Sequence, residues 1–297
     1  MTWLVRSGEG EHPALRLRAL LDSGETIVAP GVFNALVGRL AQEAGFRALY
    51  VSGAALSASL ALPDLGLLTL HELVDTVRPI VRATGLPVIA DADTGFGEAL
   101  NVMRTVRELE EVGCAAVQIE DQVMPKRCGH LSGKELVPAE AMAEKVAAAV
   151  RARRHLLIVA RTDARATEGL VAAIRRAQLY AEAGADVIFP EALESPEEFR
   201  AFADQVRVPL LANMTEFGRT PLLSVDEFAA LGYRIVIFPV TALRVAARAV
   251  EELFWDLRER GTQRDWLPRM QTRRALYDLI RYEAYEALDA TLSRRKV

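Results

Sequence analysis

Cysteine is almost missing from this chain: Cys114 and Cys128 are the only two in 297 residues. Two thiols in a chain of this length give no disulfide framework, so a reducing cytoplasm is the expected compartment. An excess of one charge is missing too. Lys and Arg number 36 against 40 Asp and Glu, a formal charge of −4 with the signs interspersed, which leaves no basic footprint for nucleic acid. No stretch approaches the ~18 uninterrupted apolar residues of a membrane span. The opening Met1-Thr2-Trp3-Leu4-Val5-Arg6 meets charge too soon for a leader's apolar core. Neither a nucleic acid nor a membrane is therefore expected as partner. There is no Pro/Gly/Ser-rich linker to divide the chain, and no His/Cys cluster to hold zinc. What remains is a globular balance, 51% hydrophobic and 26% charged, with material for a large core.

Short β-branched runs alternate with longer amphipathic ones. Strands are predicted over Thr26–Ala29, Ala48–Ser52, Pro87–Asp91, Ala115–Glu120, Leu156–Arg161, Asp186–Phe189, Pro209–Ala212 and Ile235–Phe238. Helices are predicted between them over Ala99–Val112, Ala139–Ala152, Leu170–Ala183 and Pro196–Gln205. In Leu170–Ala183 the apolar stripe runs through Leu170, Ile174, Ala177 and Tyr180, leaving Arg175, Arg176 and Glu182 off it. A helix–glycine–strand unit recurs as EAGFRALYVS, EVGCAAVQIED, EAGADVIFPE and ALGYRIVIFPV. Its glycines, Gly45, Gly113, Gly184 and Gly232, stand where a helix ends in the left-handed conformation. The strands after them are nearly all apolar, as parallel strands covered by helices are. Eight strands with crossover helices predict one (β/α)8 TIM barrel spanning 1–297, with the barrel over about 25–260 and a helical extension over about 262–297. An open doubly wound sheet is the alternative, weakened by the lack of Gly-x-Gly-x-x-Gly after the first strand. Beyond it, Thr241–Arg260 and Gln271–Leu292 read as helices interrupted at Gly261 and Pro268. That is more helix than one barrel needs, and it predicts assembly with other subunits.

Barrel chemistry sits where strands end, and polar residues collect there: Tyr50, Ser52 and Gly53; Asp91 and Asp93; Glu120 and Asp121; Arg161 and Asp163; Glu191; Asn213 and Thr215. In Asp91-Ala92-Asp93 two residues of an extended chain project to one side, so both carboxylates can reach one cation or its waters. Oxygen-only neighbours suit Mg2+ or Mn2+, with Glu120 as a third acidic partner. Cys114 precedes apolar residues and reads as core. Cys128 lies in Lys126-Arg127-Cys128-Gly129-His130, where basic neighbours predict a lowered thiol pKa and a reactive group. Its loop, Met124–Lys134, has the charges and glycines of a mobile lid. Arg161, Arg244 and Arg273 are candidate partners for an anionic substrate. Local pattern makes the last two surface charges.

These motifs resemble the isocitrate lyase/phosphoenolpyruvate mutase superfamily. The resemblance runs from Tyr50-Val51-Ser52-Gly53 through DADTGFG (Asp91–Gly97), QIEDQ (Gln118–Gln122) and PKRCGH (Pro125–His130). It continues through ARTDA (Ala160–Ala164), FPEA (Phe189–Ala192), NMTEFG (Asn213–Gly218) and MQTRRALY (Met270–Tyr277). KRCGH is similar to the lyase branch, and the chain has no room for the insertion of the longer isocitrate lyases. The resemblance implies a Mg2+-dependent barrel, with Mn2+ as alternative, assembled as a homotetramer whose last barrel helix is exchanged between subunits. It implies retro-aldol cleavage of a small tricarboxylate, 2-methylisocitrate, to pyruvate and succinate in propionate catabolism. Asp91 and Asp93 would hold the metal, with Glu120 in its outer shell. Ser52, Gly53 and Ala54 would hold the α-hydroxy acid end; Gly129, His130, Arg161, Glu191, Asn213, Thr215, Arg244 and Arg273 would contact substrate. Cys128 would be the general acid, and Tyr50 and Glu120 are alternative bases. The family's glycine-rich run after Ser-Gly is here Ala54-Ala55-Leu56. The alternatives are isocitrate or 2,3-dimethylmalate as substrate, an oxaloacetate decarboxylase or phosphonate enzyme, and a non-catalytic barrel.

Overall fold

A computed structural model describes residues 3–5, 10–131 and 133–293. Met1, Thr2 and Arg6 of the opening segment, Ser132 of the predicted lid and residues 294–297 of the extension lie outside the described residues. The strands are β1 (Ile27–Pro30), β2 (Leu49–Val51), β3 (Val88–Asp91), β4 (Ala116–Glu120), β5 (Leu157–Thr162), β6 (Val187–Pro190), β7 (Leu211–Asn213) and β8 (Ile235–Phe238). All eight predicted strands are present, most shifted by one or two residues. The helices Ala139–Ala152, Pro196–Gln205 and Thr241–Arg260 have the predicted bounds.

Every ladder is parallel. One sheet runs β2-β3-β4-β5-β6 and the other β1-β8-β7. The chain order is never reversed and β1 lies beside β8, an order that a doubly wound sheet does not have. Single parallel bridges link the two sheets at both edges, Gly31 to Tyr50 and Ile188 to Leu210. The glycines at 45, 113, 184 and 232 have φ between 85 and 104°, so each helix stops in the left-handed region before the next strand begins.

Alternation along the strands divides the core in two. One set of side chains, including Val51, Val88, Val117, Ile158 and Ile188, packs under the helices. The other, including Ile27, Ile89, Leu157, Val187, Leu211 and Ile235, forms a separate cluster with Ala14, Leu17 and Leu21. Those three come from a helix the sequence reading did not include, Pro13–Asp22, which starts with proline at its first position and His12 as N-cap. Arg18 of this helix bonds Asp186, before β6, at 2.7 Å. The helix therefore packs at the end of the sheets where strands begin, away from the predicted site.

Two local readings change. Arg176, read as off the buried stripe, is itself buried, its guanidinium bonded to Glu168 at 2.6 Å and to the Tyr180 hydroxyl at 3.1 Å. The buried acceptors around it draw the charged end inward. The predicted helix Gln271–Leu292 is two, Arg273–Leu279 and Tyr282–Ser293, because Arg281 between them takes φ +59°. The long helix Thr241–Arg260 has no buried residue. Among the described residues, no helix is long and apolar enough to cross a membrane.

Candidate active site

The carboxyl ends of the strands surround a cavity of about 60 Å³, and eleven predicted site residues line it: Tyr50, Ser52, Ala54, Asp91, Cys128, Gly129, His130, Arg161, Glu191, Asn213 and Thr215. Register explains the convergence. Asp91 ends β3, Arg161 is next to last in β5, Glu191 follows β6, and Asn213 ends β7.

Asp91 is fixed by three donors. Its Oδ1 accepts from Gln118 Nε2 at 2.8 Å and from the Asp93 N–H at 3.2 Å, and its Oδ2 accepts from the Gly53 N–H at 3.1 Å. Asp93 turns into the left-handed region, φ +48°, which brings its carboxylate back beside the first. A Cβ built on Gly53 would lie 3.0 Å from Asp93 Oδ1 and 3.2 Å from Asp91 Oδ2, so both carboxylates converge on a space that only glycine leaves open. Burial raises the Asp93 pKa to about 6, against the opposing pull of Lys126. Behind them Glu120 is fully buried, with neither carboxylate oxygen accepting a hydrogen bond. Burial holds its pKa well above the usual carboxylate range, despite Arg161 nearby.

No group of three or more His, Cys, Asp or Glu among the described residues is placed to enclose a metal. The paired Asp91 and Asp93 carboxylates are of the donor type that a hard cation such as Mg2+ takes alongside waters and substrate oxygens. The convergent Asp91 and Asp93 and the unbonded oxygens of Glu120 fit such an ion.

Arg161 organises the other wall. Its guanidinium reaches Asp163 at 2.9 Å, Glu191 at 3.2 Å and Glu120 at 3.3 Å, and lies 5.2 Å above the Phe189 ring. Burial alone would discharge it, but Asp163, Glu120 and Glu191 outweigh that and raise its pKa. Burial likewise opposes charge on Glu191, but Arg161, His130 and Lys134 hold it below the ordinary carboxylate range. Asn213 donates to both Glu191 oxygens at 3.3 Å. His130 Nδ1 accepts the Arg219 N–H at 3.1 Å, which assigns its proton to Nε2, 3.3 Å from Glu191 Oε1.

Cys128 departs from its sequence reading. Its pKa is raised, not lowered, with burial the largest cause and the Arg161 charge opposing it. The basic side chains beside it in sequence are turned elsewhere. Lys126 pairs with Asp64 and Asp93, Arg127 covers Gly133, and His130 faces Glu191. Cys114 is core as expected, with burial pushing its thiol up to about 12.

Five predicted residues fall outside the cavity lining. Gly53 spends its N–H on Asp91 instead of on a ligand. Asp93 and Glu120 lie beneath the surface, beside Asp91 and Arg161. Arg244, on the exposed first turn of Thr241–Arg260, bonds the Glu216 carboxylate at 2.9 Å and lies over Phe217. Arg273 is exposed on the helix Arg273–Leu279. The C-terminal helices carry both arginines on their surfaces, so neither reaches the strand ends.

A family model described as phosphoenolpyruvate phosphomutase matches residues 17–257. The chain belongs to the phosphoenolpyruvate mutase/isocitrate lyase superfamily. Within this superfamily, the 2-methylisocitrate lyase of Aeropyrum pernix is 59% identical over 285 residues, 96% of this chain and 92% of that protein. The crystal structure of a 2,3-dimethylmalate lyase aligns with a TM-score of 0.89 and 39% identity, covering 95% of this chain and 96% of that one. A phosphonopyruvate hydrolase crystallised with oxalate and Mg2+ aligns with a TM-score of 0.86 and 36% identity, covering 94% and 99%.

Sequence reasoning missed several residues that the superfamily fold brings to this site. Lys126 bridges Asp64 to Asp93, and the three carboxylates around it and Glu120 raise its pKa above the ordinary value, overcoming burial. Gln118 joins Asp91 to the Tyr50 hydroxyl, which donates to its Oε1. A polar residue at the centre of an apolar strand was the available signal for Gln118. Asp64 sits in a loop with no pattern to mark it.

Proposed function

We propose that this chain is a Mg2+-dependent carbon–carbon lyase that cleaves 2-methylisocitrate to pyruvate and succinate, the methylcitrate-cycle step of propionate catabolism, in the cytoplasm. Mn2+ is the alternative ion. One observation carries the reading: a single cavity is lined by a thiol that burial keeps protonated, Cys128, by a carboxylate of the metal-binding type, Asp91, and by Arg161. Relatives matched over nearly their whole length and named for this reaction support it.

Asp91 and Asp93 would hold the ion, with Glu120 bonding its waters. When bound, Mg2+ supplies Lewis-acid polarisation of the substrate's hydroxyl and adjoining carboxylate. Glu120 is the candidate base in its ionised form, which the Arg161 guanidinium at 3.3 Å favours against burial; its oxygens accept no hydrogen bond and are free to take the hydroxyl proton. Tyr50 already donates to Gln118 and serves better to orient. Once the hydroxyl proton leaves, the electron pair that bonded it to oxygen forms the second C–O bond of the pyruvate ketone as the neighbouring C–C bond breaks. The released pair passes to the carbon beside the remaining carboxylate, and the Cys128 thiol protonates that carbon to give succinate. Arg161, His130 and Asn213 are placed to steady the carboxylate that carries the developing charge.

The eight strands form one closed barrel in this reading, supported by the two bridges between the sheets and the separate inner cluster. That barrel covers about 25–260 of a single domain spanning 1–297. The unburied Thr241–Arg260 helix is the segment exchanged between the subunits of a homotetramer, which is how Arg244 and Arg273 would come to contact substrate.

The test is a coupled assay that separates pyruvate from glyoxylate across 2-methylisocitrate, isocitrate and 2,3-dimethylmalate, with and without Mg2+. We expect Mg2+-dependent pyruvate with the highest kcat/KM on 2-methylisocitrate. The likeness to a 2,3-dimethylmalate lyase structure keeps that substrate as a second reading, since one substituent discriminates by only ~1–3 kcal/mol. Glyoxylate from isocitrate at the higher kcat/KM would overturn the proposal.

A further inference from the structure

The cavity of about 60 Å³ has room for about four to six waters, at ~10–15 Å³ of open space each, fewer than the heavy atoms of a seven-carbon tricarboxylate. The segment over it must therefore move for substrate to enter. That segment carries Cys128, Gly129 and His130, and its two ends meet in an antiparallel bridge, Gln122 to Leu136, with the Val123 N–H donating to Glu135 at 2.8 Å. Beside this base stands Lys134, whose side chain is 1% exposed. It is not among the residues that line the cavity.

Lys134 Nζ is held by Asp163 Oδ1 at 2.9 Å, and it also donates to the carbonyl of Gly129. Asp163 is equally the carboxylate that grips Arg161, through Nε at 2.9 Å and Nη2 at 3.1 Å. The Asp163 N–H in turn donates to buried Asp121 at 2.9 Å, so the anchor is fixed from behind. Gly129 lies directly on Arg161 and Glu191. A Cβ there would overlap Glu191 Cγ and sit 2.5 Å from Arg161 Nη2, so the loop backbone seats only because the residue is glycine. One ammonium thus joins the moving part, the Gly129 carbonyl, to the fixed part, the carboxylate that sets Arg161.

We propose that Lys134 is a positioning residue for this site: pinned on Asp163 at the base of the loop, it latches the Gly129 carbonyl and so sets where Cys128 stands against Arg161 and Glu191. The ion pair with Asp163 alone would hold the ammonium at the base of the loop. The ammonium has a second partner, on the residue after the thiol, and that bond breaks whenever the loop lifts. An amide or a methyl thioether at the same position could not bridge both acceptors.

Two measurements on Lys134→Gln and Lys134→Met test the latch, and only the kinetic one rests on the lyase reading. In substrate-free protein, iodoacetamide labelling of Cys128 is followed by peptide mass spectrometry; fully buried Cys114 gives no competing signal while the fold is intact. Loss of the latch is expected to speed labelling about tenfold in protein that remains folded, the change in open population expected for about 1.4 kcal/mol. With 2-methylisocitrate, kcat is expected to fall by roughly 100-fold, with KM moving much less, as for a displaced reacting group. Labelling at the wild-type rate in folded variants would overturn the latch, as would a loss of kcat that merely tracks lost folded protein. If Lys134→Met does not fold, because buried Asp163 keeps only Arg161 of its two cations, Lys134→Gln keeps a donor there and decides the matter. A wild type inactive on all three acids would sink the lyase reading and leave the labelling result standing.

Discussion

A thiol that must deliver its proton to a carbanion has to keep that proton at neutral pH, and Cys128 is built to do so. Burial disfavours the thiolate and pushes its pKa above the ordinary value of 9.0. The sign has a direct consequence. At pH 7 less than about 1% of a thiol with a pKa above 9 is ionised, and each pH unit below the pKa changes the thiolate about tenfold. Labelling of Cys128 by iodoacetamide should therefore be slow at pH 7 and still climbing through pH 9. A plateau below pH 8 would show a depressed pKa and remove the argument for a stored proton. Under the same logic, Cys128→Ser should lose most turnover and keep substrate binding, since a hydroxyl fits but is the weaker acid. The sequence reading had the residue and not its electrostatics. Three basic neighbours in the chain say nothing about direction, and Lys126 proves to serve Asp64 and Asp93.

At the level of elements, the strands were legible because a buried parallel strand must be apolar along its whole length, and the units ending in Gly113 and Gly184 repeat that demand. The strand-end polar residues were legible for the opposite reason: Asp91, Arg161 and Glu191 interrupt apolar runs at the one place where a barrel tolerates it. The tie from Lys134 to the strand-end residues Asp163 and Asp121 was not, because a network assembled from a loop and two strand ends has no spacing in sequence. Nor was the role of Gly31. It follows β1 directly, donates its N–H to the Phe238 carbonyl at 2.9 Å and bridges to Tyr50, so three strands meet at its backbone. A Cβ there would overlap the backbone carbonyl of Pro239, which no rotamer change can move. Gly31→Ala is expected to cost about 3 kcal/mol or more, a Tm drop of roughly 6–12 °C in a chain of this size. A drop under about 2 °C in a calorimetric scan would mean that β1 and β8 part freely at this point.

For the whole molecule, the largest unexplained surface is the helix Thr241–Arg260, twenty residues long with none buried. Phe254 and Trp255 are 64% and 57% exposed, with Val245 and Val250 open on the same helix. Contiguous apolar surface of this kind marks an interface. Sedimentation equilibrium should give a mass four times the 32.6 kDa of the chain, and the pair Phe254→Glu with Trp255→Glu should lower it. A wild type that sediments as a single chain would refute the tetramer and leave Arg244 and Arg273 without a route to substrate.

The helix Pro13–Asp22 sets a limit on traffic. With Ala14, Leu17 and Leu21 packed into the second cluster, the end of the sheets where strands begin is filled, and on the barrel reading the site is expected to open by one door only, at the carboxyl ends of the strands. Two products formed from one molecule in a blind pocket cannot pass each other. The one nearer the door must go first, and the one held at the Asp91 end must follow. Release is therefore ordered by the architecture, and the deeper product, competing with substrate for the empty pocket, sets the rate at which the door can be used again.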